Sequence, residues 1–400
     1  MEHQAKNIEV EYLRAIAVVF VIAQHLAALL YFVPGWLSAF VENSRPYTGV
    51  DLFFCISGYV IASSLLRELD SAGPIGGTER WVRLKAFWVR RAFRILPSAW
   101  FWLVFGLVAC LVFRRFPLFG DFALVWKAVT SIVLFVFNDF YLPLSGPAHR
   151  EIPDNLGPYW SLSMEEQFYF VFPLLLFFLP NRRWLLIGFS LTVAGMFFLN
   201  RSNPMENILW PNRFDTLIWG VLIAFFRRTA QYRIFEPLGL RHRKFAWPFI
   251  MVLLLLLATV AESLHEMIIS SGLVAIICAA LVWIASYGKG YLLSQRMLLR
   301  PVFEWIGSRS YALYLVHMPA YLLTRYYFMT HYDLRSLDGQ NYNAFPMIVT
   351  AVMLMAFLAE ANYRVLERPL RNYGRKLAEQ MTAEHRVPLD PAAGNEVGRA

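Results

Sequence analysis

The chain has 400 residues, of which 58% are hydrophobic and only 16% charged, with a formal net charge of +9. A soluble domain of this size cannot bury that much apolar surface, so the remainder must face lipid. The basic residues sit in short clusters between apolar runs and not along one amphipathic face, which excludes a nucleic-acid partner and reads as loop charge beside a lipid bilayer.

Apolar runs long enough to cross ~30 Å of hydrocarbon recur along nearly the whole chain. They predict an all-α fold: a polytopic transmembrane helix bundle with ten spans at approximately 11–31, 47–66, 97–113, 158–180, 184–200, 212–226, 246–262, 268–286, 308–327 and 346–366. The first run begins only after the charged stretch 9–14, exceeds a signal-peptide core in length and lacks a small-residue cleavage pattern, so this helix is expected to stay in the mature protein. Basic segments at 80–94, 182–183, 227–244, 289–300 and 371–376 alternate with poorer ones such as 264–266 and place both termini on the cytoplasmic side. Parity then requires that 122–138 not cross; it is expected to be re-entrant or to lie against the outer face. An eleventh crossing would instead put Arg182 and Arg183 outside. The membrane domain is expected over 1–373, with a short polar cytoplasmic tail at 374–400. Cys55, Cys110 and Cys278 each lie in an apolar run, where they read as small packing residues; no disulfide and no metal site are expected.

An ionisable residue inside a span is costly and is a functional candidate by default. The first span carries two. Arg14 and His25 are eleven positions apart, close to three turns, which puts both on one face of a regular helix roughly 16 Å apart along the axis. A guanidinium near the cytoplasm can hold a phosphate-bearing donor, and an imidazole beyond the midplane can take a proton from an acceptor hydroxyl. Taken singly, Arg14 is equally an interfacial snorkelling arginine and His25 an interhelical hydrogen-bond partner. The second span opens with Gly49-Val50-Asp51-Leu52-Phe53-Phe54, where Asp51 is either an orienting carboxylate for His25 or a helix cap; Ser57-Gly58 after it is a small-residue patch of the kind that serves helix packing.

Arg90, Arg91 and Arg94 precede the third span, with Arg90 and Arg94 on a shared face; they form either a topogenic anchor or a phosphate clamp for a cytosolic cofactor. In Trp160-Ser161-Leu162-Ser163-Met164-Glu165-Glu166-Gln167-Phe168-Tyr169 two adjacent carboxylates enter the bilayer. A capping box accounts for one of them but not the pair, so at least one of Glu165 and Glu166 is expected to face a polar cavity. Arg213 and Asp215 lie on different faces of their helix and should find partners on other helices. His317, mid-span ahead of Pro319, is either a second site residue or a satisfied bundle histidine.

These segments, in this order, resemble the membrane acyltransferase-3 family over about residues 8 to 373. The most specific marks are Arg14 and His25 with ten residues between, the 49–58 segment, Arg90-Arg91 through Arg94-Ile95 and Pro97, Trp160 to Tyr169, Arg213-Phe214-Asp215, and Ser310-Tyr311 to His317 with Glu367-Arg368-Pro369. The resemblance implies a ten-helix O-acyltransferase of the bacterial inner membrane. It would take acetyl from acetyl-CoA at the cytoplasmic side and deliver it to a carbohydrate hydroxyl at the outer side. His25 would be the catalytic base with Arg14, Asp51, Glu165 and Glu166, while Arg90, Arg91 and Arg94 would hold the donor. Trp160, Ser161, Tyr169, Arg213, Asp215, Tyr311 and His317 would line the substrate. Lipopolysaccharide or exopolysaccharide leads among acceptors, ahead of peptidoglycan, a secreted oligosaccharide or a macrolide. Some members carry a further hydrolase-like domain that these 400 residues do not contain, which implies transfer completed by the membrane domain or by a separate partner. The rival reading from another class is a transporter or flippase for a glycan or lipid-linked sugar, which also uses intramembrane Arg, His and Glu.

Overall fold

The computed structural model describes residues 7–30, 33–70, 77–138, 154–179, 181–199, 213–264, 267–292, 298–332 and 344–384. They form helices joined by turns. In chain order these are α1 (Ile8–Gln24), α2 (Leu26–Leu29), α3 (Gly35–Asn43), α4 (Thr48–Asp70), α5 (Gly77–Val112), α6 (Phe122–Val133), α7 (Tyr159–Phe178) and α8 (Arg182–Phe197). The chain continues through α9 (Phe214–Phe226), α10 (Gln231–Ile234), α11 (Arg243–Ser263), α12 (Ser270–Ser286), α13 (Arg300–Ser308), α14 (Ser310–His331), α15 (Phe345–Asn362) and α16 (Arg368–Glu384), with a π turn at Tyr363–Glu367 joining the last two.

Each of the ten predicted spans falls on a helix, although 31, 180, 200 and 212 at their ends lie outside the described residues, as do 265 and 266 of the poorer segment. Four stretches are long and apolar enough to cross a membrane by themselves: Thr48–Leu69, Gly77–Val112, Lys244–Ser263 and Phe345–Glu384. The segment expected not to cross carries α6, of 12 residues, and α9, expected to cross, is hardly longer at 13; both rise less than the hydrocarbon thickness.

Burial sorts the helices into an inner and an outer set. The most apolar window of α4 is 72% buried, whereas that of α11 is 22% buried. On α8, α11 and α15 large apolar side chains such as Trp184, Leu191, Leu255, Met353 and Phe357 are exposed. Outer helices with apolar outward faces are what a lipid solvent requires, and water would not tolerate so broad an apolar surface. The inner set is α1, α4, α9, α12 and α14. Its tightest seam is α4 against α9: a Cβ at Gly58 would lie 2.0 Å from the Leu217 carbonyl oxygen, and one at Gly220 would lie 2.1 Å from that of Cys55. The Ser57-Gly58 patch thus does pack helices, as small residues do in membranes.

One segment departs from the sequence reading. The basic stretch at 80–94 is not a loop but the first half of α5, which runs unbroken through Pro97 for 36 residues, about 54 Å. Its aromatic residues hold it there: Trp81 meets Phe177, Trp88 stacks on Phe170, and Trp88 Nε1 donates to the Tyr169 carbonyl at 3.0 Å. The first residues of the polar tail are helical. Residues 374–384 complete α16, which lies against α5 with Gly374 and Ala378 buried and the Phe93 and Tyr373 rings 5.3 Å apart. The rest of the predicted tail lies outside the described residues.

Candidate active site

A cleft opens between α1, α4, α5, α7 and α14. Helical spacing delivers its polar wall. Arg91 and Arg94 are three apart on α5, and Ser161, Glu165 and Tyr169 repeat every four residues along one face of α7. Arg14 comes from α1, Ser57 from α4, and Ser310, Tyr311 and Tyr314 from the first turns of α14.

Hydrogen bonds fix this wall. Glu165 Oε1 accepts from both the Ser57 and the Tyr169 hydroxyls. The Arg91 guanidinium lies 5.6 Å from the centre of the Tyr169 ring. Ser161 and Tyr314 share a hydrogen bond of 2.6 Å, and the Tyr311 hydroxyl donates to the Ile95 carbonyl at 2.8 Å. Arg14 donates to Glu11 at 2.6 Å. With Arg14 balanced by Glu11, the Arg91 and Arg94 guanidinium groups meet one carboxylate, Glu165, among the residues lining the cleft. Such an excess of positive charge in a partly enclosed space attracts an anion.

The other expected residues divide around this cleft. Glu166 points elsewhere, with Oε1 buried and without a hydrogen-bond partner among the described residues. Gln167 beside it clamps the end of α6, donating to the Phe135 carbonyl at 2.7 Å and to Asn138 at 3.1 Å. Trp160 is buried and meets Phe54 edge to face. Arg90, expected to share a donor-binding face with Arg94, turns away and bonds both carboxylate oxygens of Glu68 at 2.6 Å.

Asp51 pairs with an arginine of another helix. It lies in the first turn of α4, which starts at Thr48, and takes Arg213 Nη1 at 2.6 Å. Arg213 also lies over the Tyr47 ring, and Asp215, in the first turn of α9, is buried. The interhelical partner expected for Arg213 is thus Asp51.

His25 stands one aromatic step beyond the cleft. It closes α1, where the helix breaks (φ −92°, ψ 4°) before α2. Its ring centroid is 5.1 Å from that of His317, which is in turn 5.7 Å from that of Tyr314 on the cleft wall. Asp154, in the turn before α7, acts electrostatically on both His25 and Arg325. Arg325 reaches the Ala28 carbonyl at 3.1 Å.

Sequence reasoning missed Tyr314, Asp154 and Arg325 and undervalued Ser57 as a site residue. A signal existed for the α14 residues: 310, 314, 317, 321 and 325 recur every three or four positions, a polar stripe on one helix face.

The family model described as an acyltransferase domain matches residues 7–360. The chain is similar to O-acetyltransferase OatA of Staphylococcus aureus (strain NCTC 8325 / PS 47), 28% identical over 91% of this chain and 57% of that protein. It is also similar to the protein named Putative peptidoglycan O-acetyltransferase YrhL of Bacillus subtilis (strain 168), 28% identical over 94% of this chain and 56% of that protein. The chain thus spans somewhat more than half the length of these relatives. No solved structure matches it.

Proposed function

The chain belongs to the acyltransferase-3 family, and on that premise we propose that it is a multi-pass bacterial membrane enzyme that moves an acetyl group from acetyl-CoA onto a carbohydrate hydroxyl. The observation that carries this reading is the convergence of Arg14, Arg91 and Arg94 on one cleft, since guanidinium groups suit the phosphates of a CoA-type donor. In this account the donor enters from the side of the basic first half of α5. In this reading the ten predicted spans cross the membrane, and both termini are cytoplasmic.

His25 takes the proton of the acceptor hydroxyl as that oxygen attacks the acyl carbonyl. The carbon–sulfur bond of the thioester breaks, and the proton held by His25 passes to the leaving thiolate. Glu165, held by Ser57 and Tyr169, keeps the Arg91 side of the cleft from being uniformly positive. The names of the relatives support acetyl as the acyl group, and one of them points to peptidoglycan as acceptor, where the sequence alone placed lipopolysaccharide and exopolysaccharide first.

The experiment is release of free CoA thiol by the purified chain in detergent, given acetyl-CoA and a cell-envelope glycan fraction. Thiol release that requires both substrates is expected. A transporter or flippase would bind the glycan and release none.

A further inference from the structure

His25 and His317, whose rings are neighbours, each meet a backbone carbonyl through the same ring nitrogen. The Nδ1 of His25 lies 2.9 Å from the Val21 carbonyl oxygen, and the Nδ1 of His317 lies 2.6 Å from that of Tyr314. A carbonyl oxygen only accepts, so in each neutral ring Nδ1 carries the proton and Nε2 is left as an acceptor. Each Nδ1 is tied to the backbone of its own helix, which leaves each Nε2 free of that helix's carbonyls. The ring centroids are 5.1 Å apart.

The His317 side chain is fully buried, and its Nε2 has no hydrogen-bond partner among the described residues. The phenols on either side do not supply a donor: the Tyr314 hydroxyl donates to the Pro158 carbonyl at 2.8 Å, and that of Tyr321 to the Ile22 carbonyl at 3.0 Å. A buried acceptor without a donor is costly, and the acceptor nitrogen of a neighbouring neutral imidazole cannot satisfy it. The group that satisfies His317 must bring a donor of its own.

Resting on the acyl-transfer reading above, we propose that His317 is a specificity-determining residue, whose Nε2 receives a second hydrogen-bond donor of the carbohydrate acceptor beside the hydroxyl that His25 deprotonates. The acceptor class is then a sugar ring with adjacent donors, either two hydroxyls or a hydroxyl and an acetamido N–H. Neighbouring donors on one ring are close enough to bond two nitrogens about 3 Å away each. His25 sets which proton leaves, and His317 sets which hydroxyl stands before His25.

The test uses membranes carrying the full chain as wild type, His317→Ala or His317→Gln, labelled acetyl-CoA, and a cell-envelope glycan fraction at varied concentration. The products are mapped to the acetylated position. His317→Ala is expected to raise the KM for the glycan about 10- to 100-fold with kcat within a few-fold, and to spread the label over neighbouring hydroxyls. His317→Gln, whose amide oxygen reaches the position of Nε2, is expected to recover most of the KM and the single product. Unchanged KM and product position in His317→Ala overturn the proposal, as does equal loss of all transfer in both variants, which assigns His317 a structural role. Absence of label from the wild type removes the acyl-transfer reading itself, and this inference with it; label from the wild type with an indifferent His317→Ala removes this inference alone.

Discussion

Arg213 at the start of α9 and Asp51 in the first turn of α4 form an ion pair of 2.6 Å whose side chains are 4% and 3% exposed. They are 162 positions apart in sequence, yet the pair sits at the end of the seam where Gly58 and Gly220 bring the same two helices into backbone contact. Removing one partner strands a buried charge, which costs about 3–5 kcal/mol, whereas replacing both with apolar residues of similar volume is often neutral. Asp51→Asn and Arg213→Met should therefore each lower the thermal midpoint of the detergent-solubilised protein sharply, and the double replacement Asp51→Leu with Arg213→Met should recover most of the loss. A double variant as unstable as the sum of the singles would show that the pair is not the unit of stability.

The seam itself makes a second prediction. A methyl group at Gly58 or Gly220 would overlap a facing backbone carbonyl, so Gly58→Ala and Gly220→Ala should each cost about 1–3 kcal/mol or more through overpacking. Gly188 on α8 has nothing within 4 Å of its would-be Cβ, and Gly188→Ala should stabilise by up to about 1 kcal/mol through helix propensity. Unfolding midpoints in one detergent compare all three directly.

Much of the architecture was legible because the lipid solvent imposes a simple pattern: an apolar run of sufficient length has few alternatives to a helix. The first half of α5 and the start of α16 were not legible as packed helices, because their arginines and lysines look like loop charge while their sparse apolar residues decide the outcome. Phe93 and Gly374 meet across that interface, and no local pattern announces it. The polar residues of the cleft were mostly legible by type, since charge inside a span has few structural reasons. Their pairing was not. Arg90 and Arg94 share a face by spacing, but Glu68 on α4 holds Arg90 away and the cleft takes Arg91 with Arg94. His25 and Asp51 looked like partners in neighbouring spans, but Asp51 belongs to Arg213 and His25 lies beside His317. Both outcomes depend on which helices are neighbours in space, information that sequence order alone does not carry.

The arginines give a third prediction, and it separates donor binding from helix anchoring. A hydrogen bond to a charged group contributes about 1.5–3 kcal/mol, so Arg91→Ala and Arg94→Ala should each raise the KM for acetyl-CoA by roughly 10- to 100-fold. Arg90→Ala removes a contact to Glu68 at a half-exposed site, where ion pairs are worth only about 0–1 kcal/mol. Its donor KM should stay within about twofold of wild type. Steady-state kinetics with varied acetyl-CoA tests the contrast, and an Arg90 variant that loses the donor as strongly as Arg94→Ala would place the donor elsewhere.

The central claim is that His25 removes the proton of a carbohydrate hydroxyl during acyl transfer. The most direct measurement is incorporation of label from acetyl-CoA into cell-envelope glycan by membranes carrying either the wild-type chain or His25→Ala at equal expression. A general base contributes about 10²–10⁴-fold, so the variant is expected to incorporate label at least about 100-fold more slowly, into the same product. Full transfer by His25→Ala at unchanged expression would contradict the account.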